Sequence, residues 1–134
     1  EIMADDGLSY LDLHTYCFSG RVFLLGEFQS RSQVARLNAI AKGVSGVVSV
    51  TCYLFPKGAS FCGKPENLYL AGKIRAALIG ASDVRSTNID VEVVQCNAIL
   101  LGVVGSQEEA RRVVDTARGV EGVLSVKSYL FTEH

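Results

Sequence analysis

The sequence predicts an α+β protein made of two copies of one helix–strand–strand–helix–strand unit, each a three-stranded mixed sheet with its helices on one face. Three observations predict it. Shifting the chain by 76 positions lays residues 21–55 over 97–131 without a gap, and 15 of those 35 pairs are identical. Each copy has a serine-led helix start followed at the far end by glycine, and each flanks that helix with strand-like runs. A duplicated domain accounts for the identity. A spacing this long is a tandem of domains, because repeats that stack into one shared core recur at roughly 20–50 residues.

Taken in order, the first copy begins at its own end. At the same offset Ile2-Met3 falls on Leu78-Ile79, so residues 1–3 read as the last turn of a leading helix whose body this chain lacks. Domain 1 then spans 1–56 without most of that helix, 57–64 is a linker, and domain 2 spans 65–134. His14 and Cys17 lie on an alternating strand, and Val22-Phe23-Leu24-Leu25-Gly26 is an apolar run that reads as a central strand. Ser30-Arg31-Ser32-Gln33 has the spacing of a capping box, in which hydroxyl and side-chain oxygen satisfy free backbone N–H groups. Gly43 follows where a left-handed residue is expected, since glycine has no Cβ to clash there. Residues 47–55 form the last strand.

The second copy shows the whole plan. Helical periodicity from 65 to 81 places Leu70, Ile74, Ala77 and Leu78 on one stripe, with Pro65 suited to a first turn. Ile89, Val91 and Val93 alternate with Asn88, Asp90 and Glu92 as a half-buried strand. A turn at Gln95-Cys96-Asn97 leads into Ile99-Leu100-Leu101-Gly102-Val103-Val104, apolar on both faces. Ser106-Gln107-Glu108-Glu109 is the second capping box, Gly119 the second helix stop, and 123–131 the final strand.

With both helices on one sheet face, Phe23 and Leu25, like Ile99 and Leu101, fall on the other. Tyr53, Phe55, Tyr129 and Phe131 share it. Uncovered apolar sheet marks a contact: between the two domains, between copies of the chain as a homo-oligomer, or with a protein partner.

The leading helix of copy two has an informative outer face. On a wheel, Leu68, Tyr69, Gly72 and Ala76 point away from the core stripe, edged by Lys73 and Arg75. Apolar and aromatic groups with basic edges suit a membrane interface. The plainer alternative is that Leu68 and Tyr69 pack against the linker and the cations are solvated.

Composition and motifs exclude more than they assign. A net charge of −1 gives no attraction to nucleic acid, and no window approaches the ~18 apolar residues of a membrane span. The four cysteines allow three pairings. Cys17 and Cys52 read as buried small apolar side chains, while Cys62 in the linker and Cys96 at a hairpin tip are the candidates for exposure. No CxxC is present, so no metal or other cofactor is expected. His14 and His134 have no nucleophile partner, Asp5-Asp6 follows a helix end while Glu108-Glu109 opens a helix, where negative charge suits the macrodipole, and Gly102-Val103-Val104-Gly105 lacks the Gly-Lys-Ser/Thr of a phosphate loop, so no enzyme is predicted.

The run Gly-Arg-Val-Phe-Leu-Leu-Gly-Glu-Phe, the Ser-capped helix and Ala-Lys-Gly-Val-Ser-Gly-Val-Val-Ser-Val resemble the BON domain of bacterial envelope proteins. So does the second copy, in residues 101–106 and 117–126; the resemblance spans the chain apart from the linker around 56–64. The two-domain layout resembles the dual-BON lipoproteins of the Gram-negative outer membrane. That resemblance implies a non-enzymatic periplasmic protein, attached through a lipid anchor upstream of this chain, that associates with anionic phospholipid and supports envelope integrity. It implies lipid contact at Leu68, Tyr69, Lys73 and Arg75. A scaffolding module, acting on an envelope protein partner through Phe23, Leu25, Tyr53 and Phe55, is the alternative.

Overall fold

Apolar residues at two periods, 3.6 in the helices and 2 in the strands, dictate a two-layer arrangement, and the computed structural model shows it twice. It describes residues 12–18, 20–57, 62–81, 84 and 88–132. The chain divides into two units, Glu1–Ser60 and Phe61–His134. The readings of residues 1–3, Asp5-Asp6 and His134 lie outside the described residues. Unit 1 contains β1 (Asp12–Phe18), β2 (Arg21–Phe28), α1 (Arg31–Lys42) and β3 (Ser49–Pro56). Unit 2 contains α2 (Lys64–Gly80), β4 (Ile89–Val94), β5 (Asn97–Val104), α3 (Gln107–Arg118) and β6 (Ser125–Thr132).

Both sheets are three-stranded and mixed. In each, the long apolar strand is central, antiparallel to the strand before it and parallel to the strand after the helix. The registers repeat with the sequence: Leu24 lies between Thr15 and Cys52, and its counterpart Leu100 between Val91 and Ser128. The core of unit 2 joins Leu70, Ile74 and Leu78 of α2 to Val91, Val93, Ala98 and Leu100 of the sheet and to Val113 and Ala117 of α3. The core of unit 1 is smaller, with Val22, Leu24, Leu37 and Ala41 buried. Each such large side chain contributes about 1.5–3 kcal/mol by leaving water.

The helix starts follow the capping logic with local differences. At α3, Ser106 Oγ accepts from Glu109 N at 3.0 Å and the Glu109 carboxylate accepts from Gly105 N at 2.7 Å. At α1, Gln33 Oε1 accepts from Ser30 N and Gln29 N, while Ser30 Oγ pairs with Ser32 Oγ. The helix stops depart from expectation. Gly43 and Gly119 keep right-handed conformations at φ −80° and −75°. Tight turns carry the chain onward, and the left-handed residues come three positions later, at Gly46 (φ 89°) and Gly122 (φ 101°).

The cysteines correct the sequence reading. Cys62 and Cys96 form a disulfide, with Cys96 only 4% exposed. Cys17 is exposed rather than buried, and Cys52 is half-buried. Edge strand β1 explains Cys17: α1 packs on β2 and β3, leaving Leu13 half-buried and Thr15 and Cys17 exposed, whereas α2 packs on β4 and buries the counterparts Ile89, Val91 and Val93. Burial pushes the Cys52 thiol above its ordinary value, opposed in part by the Lys42 cation. A thiolate is the reactive form. Alkylation of the folded chain at mildly alkaline pH is therefore expected to modify Cys17 about tenfold faster than Cys52. Cys62 and Cys96 should react only after reduction, and peptide mass mapping over time checks the order.

Candidate functional site

From Leu68 to Gly80 the α2 sequence carries only two charged residues, Lys73 and Arg75. A helix that is apolar all round needs cover all round. One face has it, since Leu70, Ala71, Ile74 and Leu78 are buried in the unit 2 core. The opposite face does not: Leu68 is 74% exposed, Tyr69 66% and Ile79 73%. Gly72 and Ala76 lie exposed between them, so the strip runs most of the helix length. Leu68 and Tyr69 thus do not take the plainer role of packing under the linker. Ile79 was not among the sequence candidates, although the steps from Leu68 through Gly72 and Ala76 lead to it.

The first turn holds this helix in place. Gly63 N donates to Glu66 Oε1 at 2.9 Å, a one-way cap that spends the carboxylate at the positive end of the helix. Asn67 Oδ1 accepts from Cys96 N at 3.0 Å, beside the disulfide that joins residue 62 to the same turn.

The two basic candidates separate. Lys73 Nζ sits 5.1 Å from the Tyr69 ring centroid, so cation and ring form one amphipathic group four residues apart on a single face. Arg75 does something else. Its Nη2 donates to the Val91 carbonyl at 2.9 Å, capping an outward-facing carbonyl of edge strand β4. Its guanidinium is engaged at the strand edge, whereas the Lys73 ammonium lies over the Tyr69 ring.

The sheet-face candidates are covered. Phe23 is 4% exposed and Leu25 fully buried, while Tyr53 and Phe55 are half-buried. Aromatic neighbours supply part of the cover: Phe18 meets Phe23 edge-on at 6.3 Å, and Tyr53, which lies beside Leu25 in the register, meets Phe55 at 5.1 Å. Phe18 and Phe23 are diagonal cross-strand neighbours and Tyr53 and Phe55 alternate residues of β3, and both pairs stand close enough to shield the face they share. Among the described residues, no cluster of three or more His, Cys, Asp or Glu side chains could hold a metal ion, and no helix is long and apolar enough to cross a membrane.

Two mixed sheets with the same register and the same helix-to-strand return are the geometry of a duplicated module, and the BON domain model matches residues 1–54 and 68–130. The chain belongs to the BON-domain family. The BON chain is 31% identical over 131 residues to Osmotically-inducible protein Y of Escherichia coli (strain K12), across 96% of its own length and 65% of that protein's. It therefore spans just under two thirds of that relative. Among solved structures, the C-terminal domain of CdsD, a structural protein of the type III secretion system of Chlamydia trachomatis, superposes on 99% of the BON chain and 62% of its own, with TM-score 0.43 and 12% identity. A second CdsD structure gives TM-score 0.43 and 12% identity over 98% and 58%.

Proposed function

We propose that this BON protein is a non-enzymatic envelope component that associates with anionic phospholipid surfaces through the outer face of α2 and so supports envelope integrity. The observation that carries the reading is the exposed strip Leu68, Tyr69, Gly72, Ala76 and Ile79, with Lys73 held over the Tyr69 ring. Side chains of this kind enter the headgroup boundary while the cation meets lipid phosphate. One cation near an anionic surface contributes only about 1 kcal/mol. Apolar insertion therefore provides most of the attraction. The name of the Escherichia coli relative adds osmotic induction; a periplasmic location at the outer membrane is part of the same proposal.

The test is co-sedimentation with phosphatidylglycerol/phosphatidylethanolamine vesicles against phosphatidylcholine vesicles, at low salt and at about 0.15 M salt. Tyr69→Asp is expected to abolish binding, because it puts a carboxylate into the apolar strip. Lys73→Ala should weaken binding about fivefold and remove most of the salt dependence. Arg75→Ala should leave binding unchanged and lower stability by about 1 kcal/mol, since it uncaps Val91. Failure of the parent chain to bind anionic vesicles overturns the proposal. The scaffolding reading has less support, because Phe23 and Leu25 offer no bare surface.

A further inference from the structure

Cys96 is tied at three points. Its sulfur is bonded to Cys62, its N–H donates to Asn67 Oδ1, and its carbonyl accepts from Leu124 N at 2.8 Å. The first two ties bind the start of α2 to the β4–β5 turn, and the third binds the loop ahead of β6 to that turn. The same loop also touches α2 directly: a Cβ on Gly122 would stand 3.0 Å from Leu70 Cδ2, and Val120 and Val123 pack into the core that contains Leu70 and Cys62. Leu68, Tyr69 and Leu124 are thus brought to one end of unit 2. Leu124 is 71% exposed, matching Leu68 and Tyr69.

We infer that this end, with Leu124 as its third apolar contact, is the part of unit 2 that meets the lipid surface. The inference rests on the lipid reading above and narrows it from a helix face to a helix-and-loop tip. A lipid surface fits better than a protein for reasons of size and shape. Three such side chains offer on the order of 300 Å², well short of the ~800 Å² per partner of a stable protein interface. They also stand out from a helix and a loop instead of lining a groove, which a fluid headgroup layer accommodates without a complementary pocket. Charge agrees: Lys64 opens α2, Lys73 edges Tyr69, and the Glu66 carboxylate is turned back onto Gly63 N. Glu121 is the acidic residue of the loop itself, so attraction at this tip is mainly apolar and only modestly sensitive to salt. Three rigid ties mean that little side-chain or loop ordering is left to be lost on docking.

The chain contains no tryptophan, so a single introduced one reports on its own position. Leu124→Trp is compared with Val48→Trp, the repeat-equivalent position of unit 1, which is 78% exposed and whose N–H donates in the same way to Gly20 O. With phosphatidylglycerol/phosphatidylethanolamine vesicles, Leu124→Trp fluorescence should shift to the blue and be quenched by brominated lipid tails, and Val48→Trp fluorescence should not. Leu124→Ser should weaken vesicle partitioning about fivefold. An unchanged Leu124→Trp spectrum and an unaffected Leu124→Ser variant, in a chain that binds and loses binding with Tyr69→Asp, overturn this inference and leave the lipid reading standing. Equal shifts at both positions also overturn it. No binding by the parent chain overturns both.

Discussion

Gly102→Ala is expected to destabilise unit 2 by about 3 kcal/mol or more, and to lower its melting temperature by about 15 °C. Gly102 sits in the central strand at φ +136°, a conformation that L side chains rarely adopt. A Cβ there would run into the carbonyl oxygen of Asn88, which is backbone and cannot swing aside as a flexible side-chain tip would. The close approach has a structural purpose. Ile89 is the register partner of Gly102, so the missing side chain lets β4 start against β5 and brings Ile89, Val91 and Val93 down onto the core. Backbone strain and overpacking, each costing about 1–3 kcal/mol, add at this site. Gly72→Ala is the control. Nothing lies within 4 Å of the Cβ it would add, and in a helix interior alanine gains about 0.5–1 kcal/mol over glycine. Thermal unfolding of both variants by circular dichroism checks the contrast; equal stability of Gly102→Ala and the parent would show that the strand does not need the close approach.

Opening the Cys62–Cys96 disulfide is expected to cost unit 2 about 3–4 kcal/mol, the chain-entropy value for a separation of 34 residues. The bond acts where the backbone needs holding. Gln95 and Cys96 form a two-residue hairpin turn with φ of 51° and 64°, a conformation that asparagine and glycine take easily and other residues at a cost of about 1 kcal/mol each. Cys62→Ser with Cys96→Ser loses the cross-link and keeps the reluctant turn residue. Cys62→Ser with Cys96→Gly loses the same cross-link but relieves the turn, and should recover about 1 kcal/mol of the deficit. Urea melts of both double variants, and of the parent with and without dithiothreitol, separate the two contributions. If the double variants are equally stable, the turn carries no strain worth relieving.

Much of the fold was legible because its signals are local. Ser106 and Glu109 lie three residues apart, and their spacing alone announces a helix start. Ile89, Val91 and Val93 declare a strand by alternation, and the offset of 76 declares that whatever one copy does the other repeats. The outward strip at Leu68 and Tyr69 was equally legible, since a helix wheel requires only the period and a known inner face. Ile79 lay on the same wheel and could have been read from it.

The α+β plan, its duplication and the apolar outer face of α2 thus follow from the order of residues alone, because periodicity and short-range spacing suffice to specify them. Packing had to settle which cysteines pair, that Cys17 is open to solvent, that Phe23 and Leu25 are covered, and that Arg75 serves the edge of β4. It alone brought Leu124 to the start of α2. Each of these depends on the distance between residues far apart in the chain. The 34 residues between Cys62 and Cys96 carry no periodic signal of their meeting, and the guanidinium of Arg75 finds Val91 only because the packing of α2 on the sheet brings the two within reach.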